Sequence, residues 1–303
     1  MNQIYIDTAR LLVQTAPHLF ADGIFALKGG TAINLFLRDM PRLSVDLDLV
    51  FPDHRLPRDE ALAAISDSLR RSSERLSGMG FQVRTASVTD GNETKLFIRR
   101  GKVELKAEVN FVMRGTVNPV RVAALTPRAR EVLFADLELP VTSMEDVYGG
   151  KLVAAMDRQH PRDLFDVGEL FSHEGITPRI RRAFVVYLAS HNRPIHEVLF
   201  PELRDIRQDY ERTFQGMTRE PVALNTLLEV RARLVDQIHR ELDENERKFL
   251  LSLVSNDPQW NLLGIDHLAE LPAIRWKLRN LEELKRQNPT KHATQAEELA
   301  RLL

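Results

Sequence analysis

The feature that most constrains the fold of this chain is a pair of aspartates within an otherwise apolar stretch, residues 46–51, which read DLDLVF. Polar and apolar residues alternate here, and this predicts a β-strand, because successive side chains of a strand point to opposite faces. The strand is expected over residues 45–51. It divides the side chains into two sets, with Ser44, Asp46 and Asp48 on one face and Val45, Leu47 and Leu49 in the core.

Two carboxylates on one face of a strand are a candidate metal site. The Cα atoms of Asp46 and Asp48 are expected roughly 6.5 Å apart, so both carboxylates can converge on one cation. Their hard oxygen atoms suit Mg²⁺ or Mn²⁺, and Mg²⁺ usually keeps water and substrate phosphates as further ligands. The same spacing also fits the solvated face of an edge strand, or the metal-held nucleotide sugar of a glycosyltransferase. An EF-hand is excluded, because its Gly and closing Glu are missing.

A glycine pair, Gly29 and Gly30, separates a predicted strand at 25–28 from a predicted helix. Backbone N–H groups at a helix start can bind phosphate oxygens, and glycine lets a ligand approach the main chain closely. The motif is not a Walker loop, because Lys28 precedes the glycines and no GxxxxGK[ST] sequence is present. A tight turn is the simpler alternative. The order strand, glycine pair, helix and aspartate strand favours a phosphate site that also includes Thr31.

The pattern of the whole chain predicts an α+β protein with an α/β-like N-terminal lobe and an all-helical C-terminal lobe. Strands are predicted at 25–28, 45–51, 81–88, 94–100 and 103–111. Helices are predicted at 3–15, 31–37, 58–77, 143–157, 161–172, 177–190, 222–251 and 273–287. With Pro140 as a break, the two lobes are expected at 1–140 and 141–303.

Composition and charge narrow the class of protein. Cysteine is absent, which excludes disulfides, thiolate zinc sites and a cysteine nucleophile. No apolar run is long enough to span a membrane, and the N-terminus lacks the pattern of a secretion signal, so the expected location is the cytoplasm, without a membrane partner. The net charge is −1, and neither half of the chain has a basic excess, which leaves a nucleic-acid substrate open.

Residues 145–168, EDVYGGKLVAAMDRQHPRDLFDVG, place a lysine in apolar surroundings and an aspartate further along. In one unbroken helix, Lys151 and Asp166 would lie roughly 22 Å apart. Pro161 disfavours helical geometry at His160 and suits the first turn of a new helix. The segment therefore predicts a helix, a short turn and a second helix that brings Lys151 and Asp166 together. The alternative is an ordinary helical hairpin with surface ion pairs.

Two blocks of this sequence resemble a known family. Residues 28–32 (KGGTA) and 42–49 (RLSVDLDL) resemble the signature of the polymerase-β-type nucleotidyltransferase superfamily, and the RxSxD[IL]DL stretch is closer to its AbiEii/AbiGii toxin branch. Residues 150–158 (GKLVAAMDR) and 162–166 (RDLFD) resemble the second block of that branch. The resemblance is specific over roughly residues 20–170 and loose over the helical remainder.

The resemblance implies a metal-dependent nucleotidyltransferase with the mixed sheet of that superfamily, flanked by helices. Asp46 and Asp48 are expected to hold Mg²⁺ or Mn²⁺. Lys151 is expected to contact the phosphates of an NTP, and Asp166 to position Lys151 or the accepting hydroxyl. The expected nucleotide contacts are Lys28, Gly29, Gly30, Thr31, Ser44 and Lys151, and the expected supporting residues are Arg42, Arg162 and Asp163, with ion pairs that also involve Asp157 and Arg158.

Members of the superfamily often place a third acid on a neighbouring strand. In the alternating strand at 103–111, the acids Glu104 and Glu108 share one face. Glu108 is the candidate third metal ligand, because it lies in the middle of the strand. The alternative is a solvated polar face on which Glu108 pairs with Lys106.

The resemblance also implies the toxin of a type IV toxin–antitoxin or abortive-infection system, with a separately encoded AbiEi-like antitoxin as partner. Some relatives add nucleotides to the 3′ end of tRNA, which implies an RNA acceptor for NMP and a block of translation. Two alternatives stay open. One is transfer of NMP, such as AMP, to a protein hydroxyl, and the other is a protein that binds nucleotide without turnover.

Overall fold

A computed structural model describes residues 3–89 and 92–303, with side chains described for 3–86 and 95–303. The chain forms two compact units. The first unit runs to Ser143 and includes Gln215–Pro221, and the second comprises Met144–Phe214 and Val222–Leu303. Helices and strands are mixed in the first unit, and the described elements of the second are helices. The predicted α+β fold class is confirmed.

A seven-stranded mixed sheet organises the first unit. Its strands are β1 (Ala26–Lys28), β2 (Asp46–Val50), β3 (Gln82–Thr89), β4 (Asn92–Arg100), β5 (Val103–Val109), β6 (Arg121–Ala124) and β7 (Glu138–Val141). Their order across the sheet is β3-β4-β5-β2-β1-β7-β6. The aspartate strand β2 pairs with β5 in parallel and with β1 antiparallel, so it is a central strand. This position excludes the edge-strand explanation of the two aspartates.

The first unit also contains helical segments, two of which pack on the apolar face of this sheet. The segments are α1 (Gln3–Phe20), α2 (Gly29–Thr31), a π-helix (Ala32–Leu37), α3 (Arg58–Gly78) and α4 (Pro127–Leu133). Helix α1 packs against β5, and α3 packs against β3 and β4. The apolar side chains of the central strands that lie on the covered face are fully buried: Leu47, Leu49, Leu105 and Ala107.

The alternation of the aspartate strand is confirmed, although the strand is shorter than predicted. Leu47 and Leu49 are fully buried, whereas Asp46 and Asp48 are half-exposed. The strand begins at Asp46. The predicted alternation is therefore wrong before this residue, because Val45 is partly exposed and Ser44 is buried.

The segment that precedes β2 is held by a distant part of the chain. The backbone N–H of Leu43 donates to the carbonyl oxygen of Met217 at 2.9 Å, and that of Arg219 donates to Pro41 at 2.8 Å. These hydrogen bonds pair the segment with residues 217–219, which belong to the first unit. The chain leaves the regular strand geometry there, and this accounts for the shorter strand.

The second unit is built from helices. They are α5 (Met144–Asp157), α6 (Pro161–Ser172), α7 (Pro178–Ala189), α8 (Ile195–Leu199), α9 (Arg207–Thr213), α10 (Leu224–Glu241), α11 (Glu244–Val254), α12 (Pro272–Gln287) and α13 (Pro289–Leu302), with short 3₁₀ helices at Trp260–Leu263 and Leu268–Glu270. Large side chains such as Phe184 and Phe249 are fully buried in its core. No helix among the described residues of the chain is both long and apolar enough to cross a membrane.

The predicted helix at 222–251 is wrong as a single element, because the structure has two helices there. Helix α10 ends at Glu241, and a capping box starts α11. The carboxylate of Asp243 accepts from the N–H of Glu246 at 2.9 Å, and Glu246 accepts from the N–H of Asp243 at 2.9 Å. This reciprocal pair satisfies N–H groups that a helix start leaves without a partner.

Two further predictions differ from the structure. Pro140 does not end the first unit, because it lies within β7 opposite Val122 of β6, and the unit continues to Ser143. The predicted helix at 31–37 is the short α2 followed by a π-helix. The β6, α4 and β7 elements were not predicted, because their period is obscured by short length and mixed burial.

Candidate functional site

The glycine turn at the end of β1 lies directly against the aspartate strand. Gly29 has a φ of +75°, a backbone conformation that is strained for residues with a side chain. A Cβ atom on Gly29 would also overlap Oδ2 of Asp48. Glycine is therefore required here for two reasons, its backbone conformation and the close approach of Asp48. The two motifs form one structural feature.

Gly30 is restricted by its own neighbours. A Cβ atom here would lie 2.8 Å from both Nη2 of Arg42 and Oγ of Ser44. The carbonyl oxygen of Gly30 accepts a hydrogen bond from Nδ2 of the buried Asn34 at 2.9 Å. Arg42 is also buried, and its Nη1 donates to the carbonyl oxygen of Leu43 at 2.9 Å. These side chains fix the shape of the glycine turn from the protein side.

Thr31 connects the turn to the start of β2. It is fully buried, and its hydroxyl donates to the carbonyl oxygen of Asp46 at 2.5 Å. Its Oγ1 also lies 3.2 Å from Oγ of Ser44. Both hydroxyls hold the glycine turn and the aspartate strand together, while a contact of either with nucleotide stays a prediction.

Two lysines flank two carboxylates along a row that crosses four strands. Lys28 of β1 pairs with Asp48 of β2, Asp48 pairs with Glu108 of β5, and Glu108 pairs with Lys95 of β4. Residues that pair across strands share one face of a sheet. This face is opposite the buried leucines of β2, and each carboxylate of the row has a lysine beside it.

Glu108, the candidate third metal ligand, is held by two lysines. Its Oε1 lies 3.1 Å from Nζ of Lys95, and its Oε2 lies 2.9 Å from Nζ of Lys106. Burial raises the pKa of Glu108, but hydrogen bonds from the two lysines outweigh this effect and bring the pKa below its usual value. Glu108 is thus ionised beside Asp48, and both of its oxygens are engaged. Its role as a metal ligand stays a prediction.

The pKa values of two lysines on this face are shifted in opposite directions. Burial lowers the pKa of Lys28, and the charges of Asp48 and Glu108 oppose that effect without cancelling it. The hydrogen bond to Glu108 raises the pKa of Lys106, with burial acting against it and the aspartates adding to it. Lys28 is therefore a half-buried residue beside the glycine turn, and burial weakens the charge of its amine more than the nearby carboxylates support it.

The donor set of Asp46 and Asp48 fits a hard divalent cation. Both carboxylates are half-exposed on one side of a central strand, which leaves room for water or phosphate oxygens as further ligands. In the described part of the chain, no three acidic or histidine side chains are grouped so that they could hold a metal ion alone. A cation held by the two aspartates would keep coordination positions that water or phosphate oxygens can fill.

The second unit contains a different lysine–carboxylate cluster. Helix α5 ends at Asp157, the chain reverses, and α6 begins at Pro161, as the sequence predicts. This reversal places Nζ of Lys151 2.7 Å from Oδ1 of Asp163 and 2.9 Å from Oδ2 of Asp166. All three side chains are almost completely buried, with 7% or less of the surface exposed.

Arg158 completes this cluster. Its Nε donates to Oδ2 of Asp163 at 2.6 Å, and its Nη2 donates to Oδ1 at 3.1 Å. Burial raises the pKa of Asp163, but the charges of Lys151 and Arg158 outweigh it and hold the pKa well below its usual range. The side chain of Arg162 is half-exposed, and its supporting role stays a prediction. Asp157 pairs with Arg193.

Lys95 is the member of the site that sequence analysis missed. The signal was the two-residue loop Gly101-Lys102 between β4 and β5. A tight hairpin loop fixes the pairing of every residue on its two strands. Counting back from the pair Arg100 and Val103 brings Lys95 opposite Glu108.

Comparisons with known proteins extend these observations. Residues 10–280 match the family described as nucleotidyl transferase AbiEii toxin, type IV TA system. Among solved structures, the chain is similar to MenT4, a nucleotidyltransferase toxin from Mycobacterium tuberculosis H37Rv, with a TM-score of 0.59 and 21% identity over 91% of this chain and 94% of that one. At this identity the likeness is one of fold. A comparison with curated proteins found no match.

Proposed function

Since the chain belongs to the AbiEii family of nucleotidyltransferase toxins from type IV toxin–antitoxin systems, we propose that it transfers NMP from an NTP to an RNA acceptor, such as the 3′ end of tRNA, and so blocks translation. A toxin of this type has an antitoxin partner, which we propose is a separately encoded AbiEi-like protein. The proposed location is the cytoplasm, where NTPs and tRNA are present.

The observation that carries this proposal is the close approach of Gly29 to Asp48. The glycine turn begins the helical segment formed by α2 and the π-helix, and backbone N–H groups at such a start can bind phosphate oxygens. Asp48, and with it Asp46, offers carboxylates to a cation at the same place. A triphosphate and a divalent cation carry opposite charges and bind together, so one compact site with both kinds of group supports NTP as the substrate.

Asp46 and Asp48 are the proposed ligands of Mg²⁺ or Mn²⁺. Such an ion, when bound, offsets the negative charge of the phosphates during transfer. Lys28 adds a positive charge on the β1 side, and the side chains of Arg42 and Ser44 keep the glycine turn in shape. Glu108 would have to exchange a lysine contact for the metal in order to act as a third ligand.

In the proposed reaction, a hydroxyl oxygen of the acceptor bonds to the α-phosphorus of the NTP. The bond from that phosphorus to the bridging oxygen of the β-phosphate breaks, and pyrophosphate leaves with the electron pair. The hydroxyl proton is released to solvent. The protein contributes mainly by positioning the two substrates and by neutralising charge.

Lys151 and Asp166 are proposed to take part in the same reaction. The support is the resemblance of their sequence block to the family and the burial of their ion pair. A lysine that is held by two carboxylates keeps a fixed position for its amine, which suits a group that acts on phosphate through its charge. Asp166 is the proposed positioning residue for Lys151.

Label transfer tests the proposal. Purified protein is incubated with Mg²⁺, total tRNA and each NTP labelled with ³²P at either the α- or the γ-phosphate. Label on RNA from the α-position alone, with the γ-label in pyrophosphate, is the expected result. Label on protein instead of RNA would support the alternative acceptor. Absence of label with any acceptor, together with unchanged nucleotide affinity in Asp46→Ala, would contradict the catalytic site.

A further inference from the structure

The polar face of the sheet continues outward from the aspartates onto three further strands. In one row across the strands, Asp46 pairs with Lys106 of β5, Lys106 pairs with Phe97 of β4, and Phe97 pairs with Arg84 of β3. Because paired residues share one face, these four side chains lie on the same side as the aspartate pair. We call the side chains of Arg84, Lys95, Phe97, Arg99 and Lys106 on this side the open face.

Phe97 is an aromatic residue on the polar side of the sheet. Its chain neighbours Leu96 and Ile98 point to the helix-covered side and are fully buried, whereas Phe97 is only half-buried. The guanidinium carbon of the exposed Arg84 lies 4.1 Å from the centre of its ring. An arginine on an aromatic ring is a cation–π pair that keeps a flat, positively charged surface in contact with solvent.

Cations outnumber carboxylates around this ring. Lys95, Lys106 and Arg99 belong to the open face, and the acids that face them across β5 are Glu104 and Glu108. Lys95 and Lys106 share the carboxylate of Glu108, and Lys106 also pairs with Asp46 of β2, so the four cations of the open face have the three carboxylates of Asp46, Glu104 and Glu108 as neighbours, an excess of one positive charge. The open face is therefore complementary to a chain of phosphates.

We propose that the open face binds the single-stranded end of the RNA acceptor, with a base stacked on Phe97 and Arg84. This inference rests on the proposed function and adds the surface that recognises the acceptor. Aromatic residues on the exposed face of a sheet stack bases, and arginine planes stack them as well. Lysines beside the ring would contact the phosphates between stacked bases.

The distance from the open face to the aspartates suits an RNA end that is bound at both places. Phe97 and Asp46 are separated by two strand spacings, which is about 10 Å. Stacked nucleotides advance about 3.4 Å each along a strand, so two or three nucleotides cover that distance. A base on Phe97 would therefore belong to a nucleotide close to the reacting 3′ hydroxyl. A protein acceptor would not need a flat cation–π surface at this point.

Binding of RNA without turnover tests this surface. A fluorescein-labelled single-stranded RNA of about twelve nucleotides is titrated with protein in EDTA and without NTP, and the Kd is measured by anisotropy. Phe97→Ala is expected to raise the Kd at least about fivefold, because a stacked base contributes at least about 1 kcal/mol. Phe97→Trp keeps a ring for stacking and is expected to restore binding. Equal melting temperatures of Phe97→Ala and the wild-type protein exclude misfolding as the cause of the lost affinity.

The chain offers a matched control for this variant. Phe134 is 83% exposed, and Arg10 of α1 lies 5.5 Å from the centre of its ring, so it is a second arginine–aromatic pair in the same unit. It lies beside α1, which packs against β5 on the helix-covered side of the sheet. Phe134→Ala is expected to leave the Kd for RNA unchanged. Arg84→Gln is expected to reduce the salt dependence of binding by about one phosphate contact.

Two results separate this inference from the proposed function. If the wild-type protein labels RNA but Phe97→Ala binds RNA as well as Phe134→Ala does, the surface is wrong and the function stands. If the wild-type protein labels protein alone, the RNA acceptor itself is wrong. Support for the surface requires a higher KM for RNA in Phe97→Ala with an unchanged KM for NTP, in addition to the loss of affinity.

Discussion

The two units each contain a lysine–carboxylate cluster, and the two clusters differ in burial. On the sheet, Asp46 and Asp48 are half-exposed and lie beside lysines that are shared with Glu108. Between α5 and α6, Lys151, Asp163 and Asp166 are almost completely buried and satisfy one another at distances of 2.9 Å or less. The same residue types therefore form an accessible cluster in one place and a closed cluster in the other.

This difference in burial suits the two clusters to different proposed roles. A half-exposed carboxylate stays in contact with solvent and can therefore bind a cation that keeps part of its water. A buried ion pair keeps its partners, because removal of either one leaves an uncompensated charge in a poorly solvated place. The comparison thus supports the proposal that the aspartates of β2 bind the cation and that the Lys151 cluster fixes one amine in position.

The largest effect is expected from the accessible cluster. Asp48→Asn removes one carboxylate charge from the proposed cation site and should reduce the rate of NMP transfer by roughly a thousandfold, because metal-ion catalysis supplies several kcal/mol. The control is Glu104→Gln, which neutralises an exposed acid on the same face of β5. Single-turnover transfer of labelled NMP measures both. Equal rates in the two variants would contradict the assignment.

The closed cluster should respond in stability. Asp163→Asn leaves Lys151 with one carboxylate fewer and should lower the free energy of unfolding by about 3 kcal/mol or more, as expected for a broken buried pair. Urea unfolding followed by circular dichroism measures the change. The control is Glu283→Gln, which removes an exposed carboxylate from α12 and should have little effect. A loss of less than about 1 kcal/mol in Asp163→Asn would show that the buried ion pair contributes no more to stability than an exposed one.

The difference in stability between the wild-type protein and Asp163→Asn should depend on pH. The pKa of Asp163 is lowered in the folded protein, so its contribution to stability is fully present above the pKa of an unfolded aspartate. It is lost as the pH falls below that value, near about 4, toward the folded pKa. The gap in unfolding free energy between wild-type protein and Asp163→Asn should therefore be constant above about pH 5 and shrink below about pH 4.

A smaller effect on stability tests the contact between the two motifs. Gly29→Ala and Gly23→Ala both place a side chain at positive φ, at +75° and +69°. A Cβ atom at Gly23 meets no atom within 4 Å, whereas one at Gly29 overlaps Asp48. Gly29→Ala should therefore lose about 1–3 kcal/mol more than its control, and should also lose activity. Equal unfolding free energies would contradict the close approach.

The smallest effect is expected at Glu108. Glu108→Gln removes partly exposed ion pairs, which contribute about 0–1 kcal/mol to stability. If lysines rather than a metal ion are its partners, the concentration of Mg²⁺ that gives half-maximal activity should stay the same. A large rise in that concentration would instead identify Glu108 as the third ligand.

Much of this site follows from sequence periodicity. Two-residue alternation predicted the burial of Leu47 and Leu49, and Pro161 predicted the reversal that joins Lys151 to Asp166. The alternation failed at Ser44, because residues 217–219 from a distant part of the chain pair with the segment before β2. Such a long-range contact leaves no local pattern.

Other features of the fold need information beyond hydrophobic periodicity. The Asp243 and Glu246 spacing of a capping box marks the break between α10 and α11. The π-helix at Ala32–Leu37 is different, because six residues are too few to separate its period from that of an α-helix. The pairing of Asp48 with Glu108 on neighbouring strands can be predicted only when the order of the strands in the sheet is known, and hydrophobic periodicity does not give that order.

Mn²⁺ binding followed by electron paramagnetic resonance in the presence of NTP tests the central claim most directly, because it requires no knowledge of the acceptor. Wild-type protein should reduce the signal of free Mn²⁺. Asp46→Asn and Asp48→Asn should lose this binding, while Asp163→Asn, measured below its melting temperature, should retain it. Binding that survives both aspartate variants, or that is lost only in Asp163→Asn, would contradict the assignment of the cation to the half-exposed pair.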